Sequence, residues 1–246
     1  MRFPALSLFA SLMLLSACGG GDDANKASEK AIDTSALRVP LAEKLNEPAA
    51  LQSAFALAFE TPAIMIKDER YTFAPAGLYR VKEGLVLFSE GSGPDCHACS
   101  GLLAVHYLTE TPEGMKVTKG WTDAIPGSEY GAPPQWTVRT DLMSAPVVQT
   151  VSNGMGQGIT CSIARLTELL PDGPKLRADL VPLAYSDEGA IVDDTKPNTV
   201  DAAIAPADRD RDFVVKYKGS VTRDVIWSRQ GEAFVAGKDA QGIPQC

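Results

Sequence analysis

Histidine is almost missing from this chain: His97 and His106 are the only two in 246 residues. Histidine is the commonest general base and metal ligand at neutral pH, so the inventory for either chemistry is thin. No G-x-S-x-G elbow, S-x-x-K pair or H-E-x-x-H helix occurs, and those spacings mark the common serine and zinc hydrolases. Basic residues are outnumbered, with 23 Lys and Arg against 31 Asp and Glu and a net charge of -8. Without a basic stripe, nucleic acid is not an expected partner. The acidic balance also opposes close contact with anionic lipid headgroups, except through an anchor. The apolar run Phe3 to Leu15 falls short of the roughly 20 residues that span a bilayer. No strict internal repeat is present, which argues against a regular propeller or solenoid.

At the N-terminus, one positive charge (Arg2), a short apolar run and small residues precede Cys18. That order describes a secretory signal. Leu15-Ser16-Ala17-Cys18 resembles a lipobox, the processing signal of bacterial lipoproteins. The resemblance implies a signal peptide over 1–17, cleavage after Ala17, and lipidation (diacylglycerol and a fatty acid such as palmitate) on Cys18. Acyl chains contribute about 0.8 kcal/mol per buried methylene, so two or three give a stable membrane anchor. Gly19 follows the cysteine where retention signals of enteric bacteria carry Asp, which by the same resemblance implies the outer membrane, facing the periplasm. Residues 18–40 are small and charged without apolar periodicity and read as a flexible tether. The remainder, 41–246, fits a single globular domain.

Setting Cys18 aside leaves Cys96, Cys99, Cys161 and Cys246. An even count in an oxidising compartment reads as disulfides. Of the three pairings, Cys96–Cys99 with Cys161–Cys246 needs the fewest assumptions.

One segment reads as helix. Asn46 suits a cap, Pro48 a first turn, and Leu51, Ala54, Phe55 and Ala58 share one face. Strand and turn signals dominate afterwards. Hairpin patterns surround Lys82-Glu83-Gly84, Thr111 to Gly114 and Pro171 to Pro174, and a three-stranded meander runs from Phe213 to Ala236. The expected fold is mainly β, of antiparallel hairpins and meander with one N-terminal helix; α+β is the alternative. Two irregular stretches stand out. One is Thr122 to Gln135, with Trp121 and Trp136 at its ends and Tyr130 inside; the other is acidic Asp187 to Thr195. The first reads as a binding loop.

Several motifs carry weaker chemistry. Cys96-His97-Ala98-Cys99 lacks the histidine a c-type haem requires, since Ser100 holds that position. Zinc could draw on Cys96, Cys99, Cys161 and His97 or His106, but only one short-spaced cluster exists. A thioredoxin-like pair needs a helix after the second cysteine. Leu85 to Phe88 supplies a strand and Pro146 a downstream proline, yet Leu102 to Tyr107 reads as strand. Asn153-Gly154-Met155-Gly156-Gln157-Gly158 departs from G-x-G-x-x-G and reads as a turn. Asp208, Asp210 and Asp212 alternate with Arg209 and Arg211, a self-paired charge run rather than a calcium loop. His106 shares a strand face with Leu102 and Ala104 and reads as a hydrogen-bonded core histidine. No cofactor and no metal is expected.

The segments Asp95 to Gly101, Ala104 to Leu108, Gly131 to Pro134 and Gly156 to Gly158, with the Tyr- and Trp-containing closing strands, are similar to a family of uncharacterised exported proteins and lipoproteins of Gram-negative bacteria. That resemblance implies a single exported domain; the family carries no activity to transfer. The function expected is a lipid-anchored envelope protein with a non-enzymatic binding or accessory role. The alternative is a thiol–disulfide oxidoreductase using Cys96 and Cys99.

Overall fold

The computed structural model describes residues 41–192 and 195–246. The expected signal peptide, Cys18 and the expected tether lie outside the described residues. The described chain is mainly β, in two antiparallel sheets with a single α-helix.

The first sheet contains β1 (Ala42–Lys44), β2 (Ala63–Ile66), β3 (Glu69–Val81), β4 (Gly84–Ser92), β5 (Leu102–Thr111) and β6 (Gly114–Pro126). Strands β3 to β6 follow one another as a meander, and β1 and β2 share the free edge of β3. Helix α1 (Pro48–Ala58) covers one face. Its Ala54 packs with Leu78, Leu85, Leu87 and Leu108. Glu47, not Asn46, holds the N-cap, without a side-chain cap bond; proline at N1 already spares one orphan N–H. The unbroken run Leu85-Val86-Leu87-Phe88 follows from burial on both sides. Leu85 and Leu87 meet the helix, while Val86 and Phe88 face the second sheet.

That second sheet is a continuous meander of β7 (Gln135–Arg139), β8 (Val147–Gly156), β9 (Ile159–Leu170), β10 (Gly173–Ser186), β11 (Thr199–Pro206), β12 (Asp212–Gly219), β13 (Arg223–Gln230) and β14 (Ala233–Ala236). Val148 and Leu169 pack on Val86, Phe88, Leu103 and Val105 of the first sheet. The rest of the sheet curls on itself, so Leu166, Val181, Val215, Phe213 and Phe234 share one core. The bend sits in β10, where the register with β9 shifts between Ala178 and Val181 and Leu180 adopts φ 51°. An extra residue there sharpens the twist. Curling brings β14 to β10, and Arg177 of β10 donates to the Glu232 carbonyl at 2.9 Å.

The hairpins at Lys82 to Gly84, Thr111 to Gly114 and Pro171 to Gly173, and the closing meander, stand where turn chemistry placed them. β6 runs on to Pro126 and β7 starts at Gln135, so the irregular stretch shrinks to residues 127–134.

Candidate functional site

The loop 127–134 and the Cys96–Cys99 turn lie against each other. Gly93 N–H donates to Gly131 O (2.9 Å), Gly131 N–H to Cys99 O (2.9 Å), Gly127 N–H to Gly101 O (2.7 Å) and Gly101 N–H to Ser128 O (3.3 Å). Backbones this close leave no room for side chains. A Cβ on Gly101 would stand 2.2 Å from the Ala132 carbonyl, and one on Gly131, at φ 66°, would stand 2.5 Å from Pro94 O. Glycine is required there for space, and at 131 for conformation as well.

Next to this seam rises the β8–β9 hairpin. Its turn is Gln157-Gly158, both at positive φ (52° and 80°), the signature of a two-residue type I′ hairpin. The glycine-rich Asn153 to Gly158 segment is therefore a tight turn. The loop reaches across to it through side chains. Met155 N–H donates to Glu129 Oε2 at 3.1 Å, and Asn153 N–H donates to Ser128 Oγ at 3.1 Å. His97 Nε2 lies 3.1 Å from Met155 O and 3.8 Å from Glu129 Oε2.

Between these pieces run two adjoining grooves of about 550 and about 610 Å³, sharing Ser128, Glu129, Asn153, Gly154, Met155 and Cys161 as walls. Both volumes fall in the size range of small-molecule sites. The larger is walled by His97, Cys99, Cys161, Arg165 and Cys246, so both cysteine pairs border it. Cys96 lies at disulfide distance from Cys99, with Cα atoms 5.1 Å apart, and Cys161 from Cys246, with Cα atoms 5.8 Å apart. These are the pairs that needed the fewest assumptions. The chain after Cys99 enters β5 directly, so no helix N-terminus stands over the Cys96–Cys99 turn. Of the sulfurs a zinc ion would draw on, Cys96 and Cys99 are paired with each other and Cys161 with Cys246.

Tyr130 sits at the rim with φ 57° and half its surface exposed. A tyrosine in the left-handed region costs about 1–2 kcal/mol, and such conformations concentrate where a side chain must be held in place. Its ring meets His97 edge-on, centroids 5.3 Å apart.

The two tryptophans of the expected binding loop are elsewhere. Trp136 is half-buried between the sheets, 4.8 Å from the Phe88 ring and 6.1 Å from Tyr79, and its Nε1 donates to Glu90 Oε1 at 2.8 Å. Trp121 packs on Tyr107 at 5.3 Å and against Gly173. An indole at a strand start is drawn into an inter-sheet core because burial stabilises it more than solvent does. Of Trp121, Tyr130 and Trp136, only Tyr130 borders a groove.

His106 is buried, but its Nδ1 has no hydrogen-bond partner among the described residues, which corrects the expectation of a hydrogen-bonded core histidine. The acidic run is self-paired only in part, and Arg209 donates outside it, to Thr140 O at 2.7 Å. Asp208 bridges Arg211 at 3.2 Å. Asp210 accepts from the Ser144 backbone at 2.7 Å and from its hydroxyl. Burial pushes the Asp210 carboxyl up, but the two Ser144 bonds and the charges of Arg229 and Arg209 outweigh it and hold the group below its ordinary range.

Sequence reasoning missed Glu129, Asn153, Met155, Tyr185 and Asp201, which wall the grooves. Glu129 stood beside Tyr130 inside the irregular stretch, the one local signal for it. Tyr185 and Asp201 come to the site only through the pairing of β10 with β11.

Comparison with protein-family models, with curated proteins and with solved structures finds no significant match.

Proposed function

We propose that this chain is a lipid-anchored envelope protein, held through Cys18 at the outer membrane and facing the periplasm, whose work is to bind rather than to catalyse. Its contact site is the pair of adjoining grooves, with Tyr130 at the rim of the smaller. The observation that carries this reading is the pinned loop. Four backbone bonds, to Gly93, Cys99 and Gly101, fix residues 127–131 around the Cys96–Cys99 turn and hold an exposed aromatic ring in an unfavourable backbone conformation beside the smaller groove. Rigid presentation of an exposed ring lowers the ordering cost of binding. The cysteine pairs support it as staples: one closes the turn under the loop, the other ties the C-terminus to β9.

A photo-crosslinking residue at Met155, which is 59% exposed and borders both grooves, tests the site in intact cells. A discrete adduct is expected there, and none from the same residue at exposed Val235 on β14. Identical products from both positions overturn the binding reading. The anchor is tested apart: fatty-acid label should be lost in Cys18→Ser, and equal labelling would remove the lipoprotein assignment.

Thiol–disulfide exchange is the second reading. It is favoured by the exposure of Cys96 and by the place of Cys99 on the larger groove. It is opposed by the strand that follows Cys99, since a lowered thiol pKa draws on a helix N-terminus or a neighbouring cation.

A further inference from the structure

The smaller groove has an uneven chemistry. Its charged walls are Glu129 and Asp201, and no lysine or arginine borders it. Glu129 keeps a third of its side chain exposed, and the His97 imidazole Nε2 lies 3.8 Å from its Oε2. Asp201 is exposed on β11 and makes no ion pair among the described residues. Lys218 stands across from it in the β11–β12 register, outside the groove walls. Two tyrosines, Tyr130 and Tyr185, and the exposed thioether of Met155 complete the lining that matters. Carboxylates set among aromatic rings and a polarizable sulfur form the environment that accepts an organic cation. The charge is met by the carboxylates, and the alkyl or ammonium body by the rings. An anion would meet two like charges and no compensating donor side chain of positive charge, which costs specificity against it.

We propose that this groove binds an alkylammonium compound, a small amine with its charged end at Glu129 and Asp201 and its aliphatic part against Tyr130 and Tyr185. The assignment rests on the binding role proposed above and names its ligand class. The groove's about 550 Å³ accommodates a linear polyamine and leaves its ends open to solvent, so selectivity lies in charge and chain rather than in enclosure.

The test is isothermal titration of the full chain in non-ionic detergent with spermidine, and with hexanoate as the anionic control. Spermidine should bind with an affinity that falls as salt is raised, because exposed charge pairs are screened. Hexanoate should not bind. Asp201→Asn and Glu129→Gln should each weaken spermidine about three- to fivefold, the size of one exposed charge pair. Gln still offers Met155 N–H an acceptor, so the loop keeps its tie. Tyr130→Ala should weaken spermidine as well, since the ring packs against the ligand. Spermidine heats that are absent, or unaltered in the Asp201→Asn, Glu129→Gln double variant, overturn the assignment, as does hexanoate binding as well as spermidine. A crosslinked adduct at Met155 with no spermidine binding removes the cation and leaves the binding role. Spermidine binding with no adduct removes that role in cells and leaves the chemistry of the groove.

Discussion

The ring of His106 meets the ring of Phe59 edge-on, with centroids 5.0 Å apart. Phe59 is the C-cap of α1, so this contact ties the end of the helix to β5. Gly120 makes room for it, as a Cβ there would stand 2.4 Å from His106 Cδ2. Burial holds the imidazole below its ordinary pKa of 6.5, because the charged form loses its water. The sign follows from proton uptake. The unfolded chain binds a proton near pH 6.5 and the folded one only below that, so the neutral ring's contribution is complete above 6.5 and declines as pH falls toward the folded pKa. Thermal melts between about pH 7.5 and about pH 5 should show a falling midpoint, with a shallower fall in His106→Gln. Parallel falls in both proteins would mean that another group is titrating.

Trp136 gives the next outcome. Its indole fills space between Phe88 and Tyr79 and donates to Glu90. Trp136→Ala should cost about 3 kcal/mol in urea unfolding. Trp136→Phe keeps a ring and forfeits the Glu90 bond, so a smaller loss of about 1 kcal/mol is expected. An unchanged midpoint in the alanine variant would return the tryptophan to the surface.

These two residues also show what could be read in advance. The β class, the hairpins and the single helix were visible because alternation and turn residues are local. The sequence sets Trp136 at the end of a binding loop and not in the core, because nothing in Pro133-Pro134-Gln135-Trp136 says which sheet will cover the indole. β8 was hidden by Val147-Val148 followed by polar and glycine residues, and β7 by its brevity. The site was legible only in fragments. Tyr130, Cys96, Cys99, Cys161 and Cys246 could be listed by type, but their meeting depends on strand order. Asp201 comes beside Ala184 and Tyr185 only because β10 bends at Leu180 and then pairs with β11. A bulge of that kind leaves no pattern in one sequence.

The buried ionic cluster of the second sheet is a separate case. Arg177 and Glu168 are each under a tenth exposed, and Arg177 Nε donates to Glu168 Oε2 at 2.7 Å, with Arg229 3.5 Å away. Arg177→Met should destabilise by about 3 kcal/mol, since it strands a carboxylate in the interior with only a distant partner. Arg177→Met with Glu168→Leu should recover much of that loss, because a matched apolar pair avoids both desolvation costs. Chemical denaturation of both variants reads the difference; equal losses would show that the pair does more than cancel charge.

The seam of glycines under Tyr130 should be intolerant in a different way. Gly131→Ala puts a Cβ 2.5 Å from Pro94 O, far inside van der Waals contact, and strains a left-handed backbone. A loss of about 1–3 kcal/mol is expected, together with loss of any ligand at the groove, because the loop must lift to relieve the clash. Gly231→Ala, at a matching φ of 63° but with open space around it, is the control: it carries the conformational strain alone, about 1 kcal/mol. If both variants bind and unfold alike, the seam does not position the loop.

The two cysteine pairs differ in the loops they close, with sequence separations of 3 and 85. On the chain-entropy account, the longer loop contributes about 4–5 kcal/mol and the shorter about 1–2 kcal/mol. Replacing Cys161 and Cys246 with Ser should therefore lower the urea midpoint far more than replacing Cys96 and Cys99. The redox outcome separates staple from catalyst. A staple resists the glutathione pool, with a potential below roughly -300 mV, whereas exchange catalysts span roughly -270 to -120 mV. Cys96 is exposed, so access does not protect it; what it lacks is a helix N-terminus to stabilise a thiolate, because β5 follows Cys99. The expected result is a low potential for Cys96–Cys99, read by mass spectrometry of alkylated peptides across a redox series, and no turnover of a model disulfide substrate by the reduced chain. A potential near that of a disulfide isomerase together with catalysed exchange would replace the binding role with an oxidoreductase, and His97 and Arg165, on the same groove, would then be the first positions to test for thiolate stabilisation.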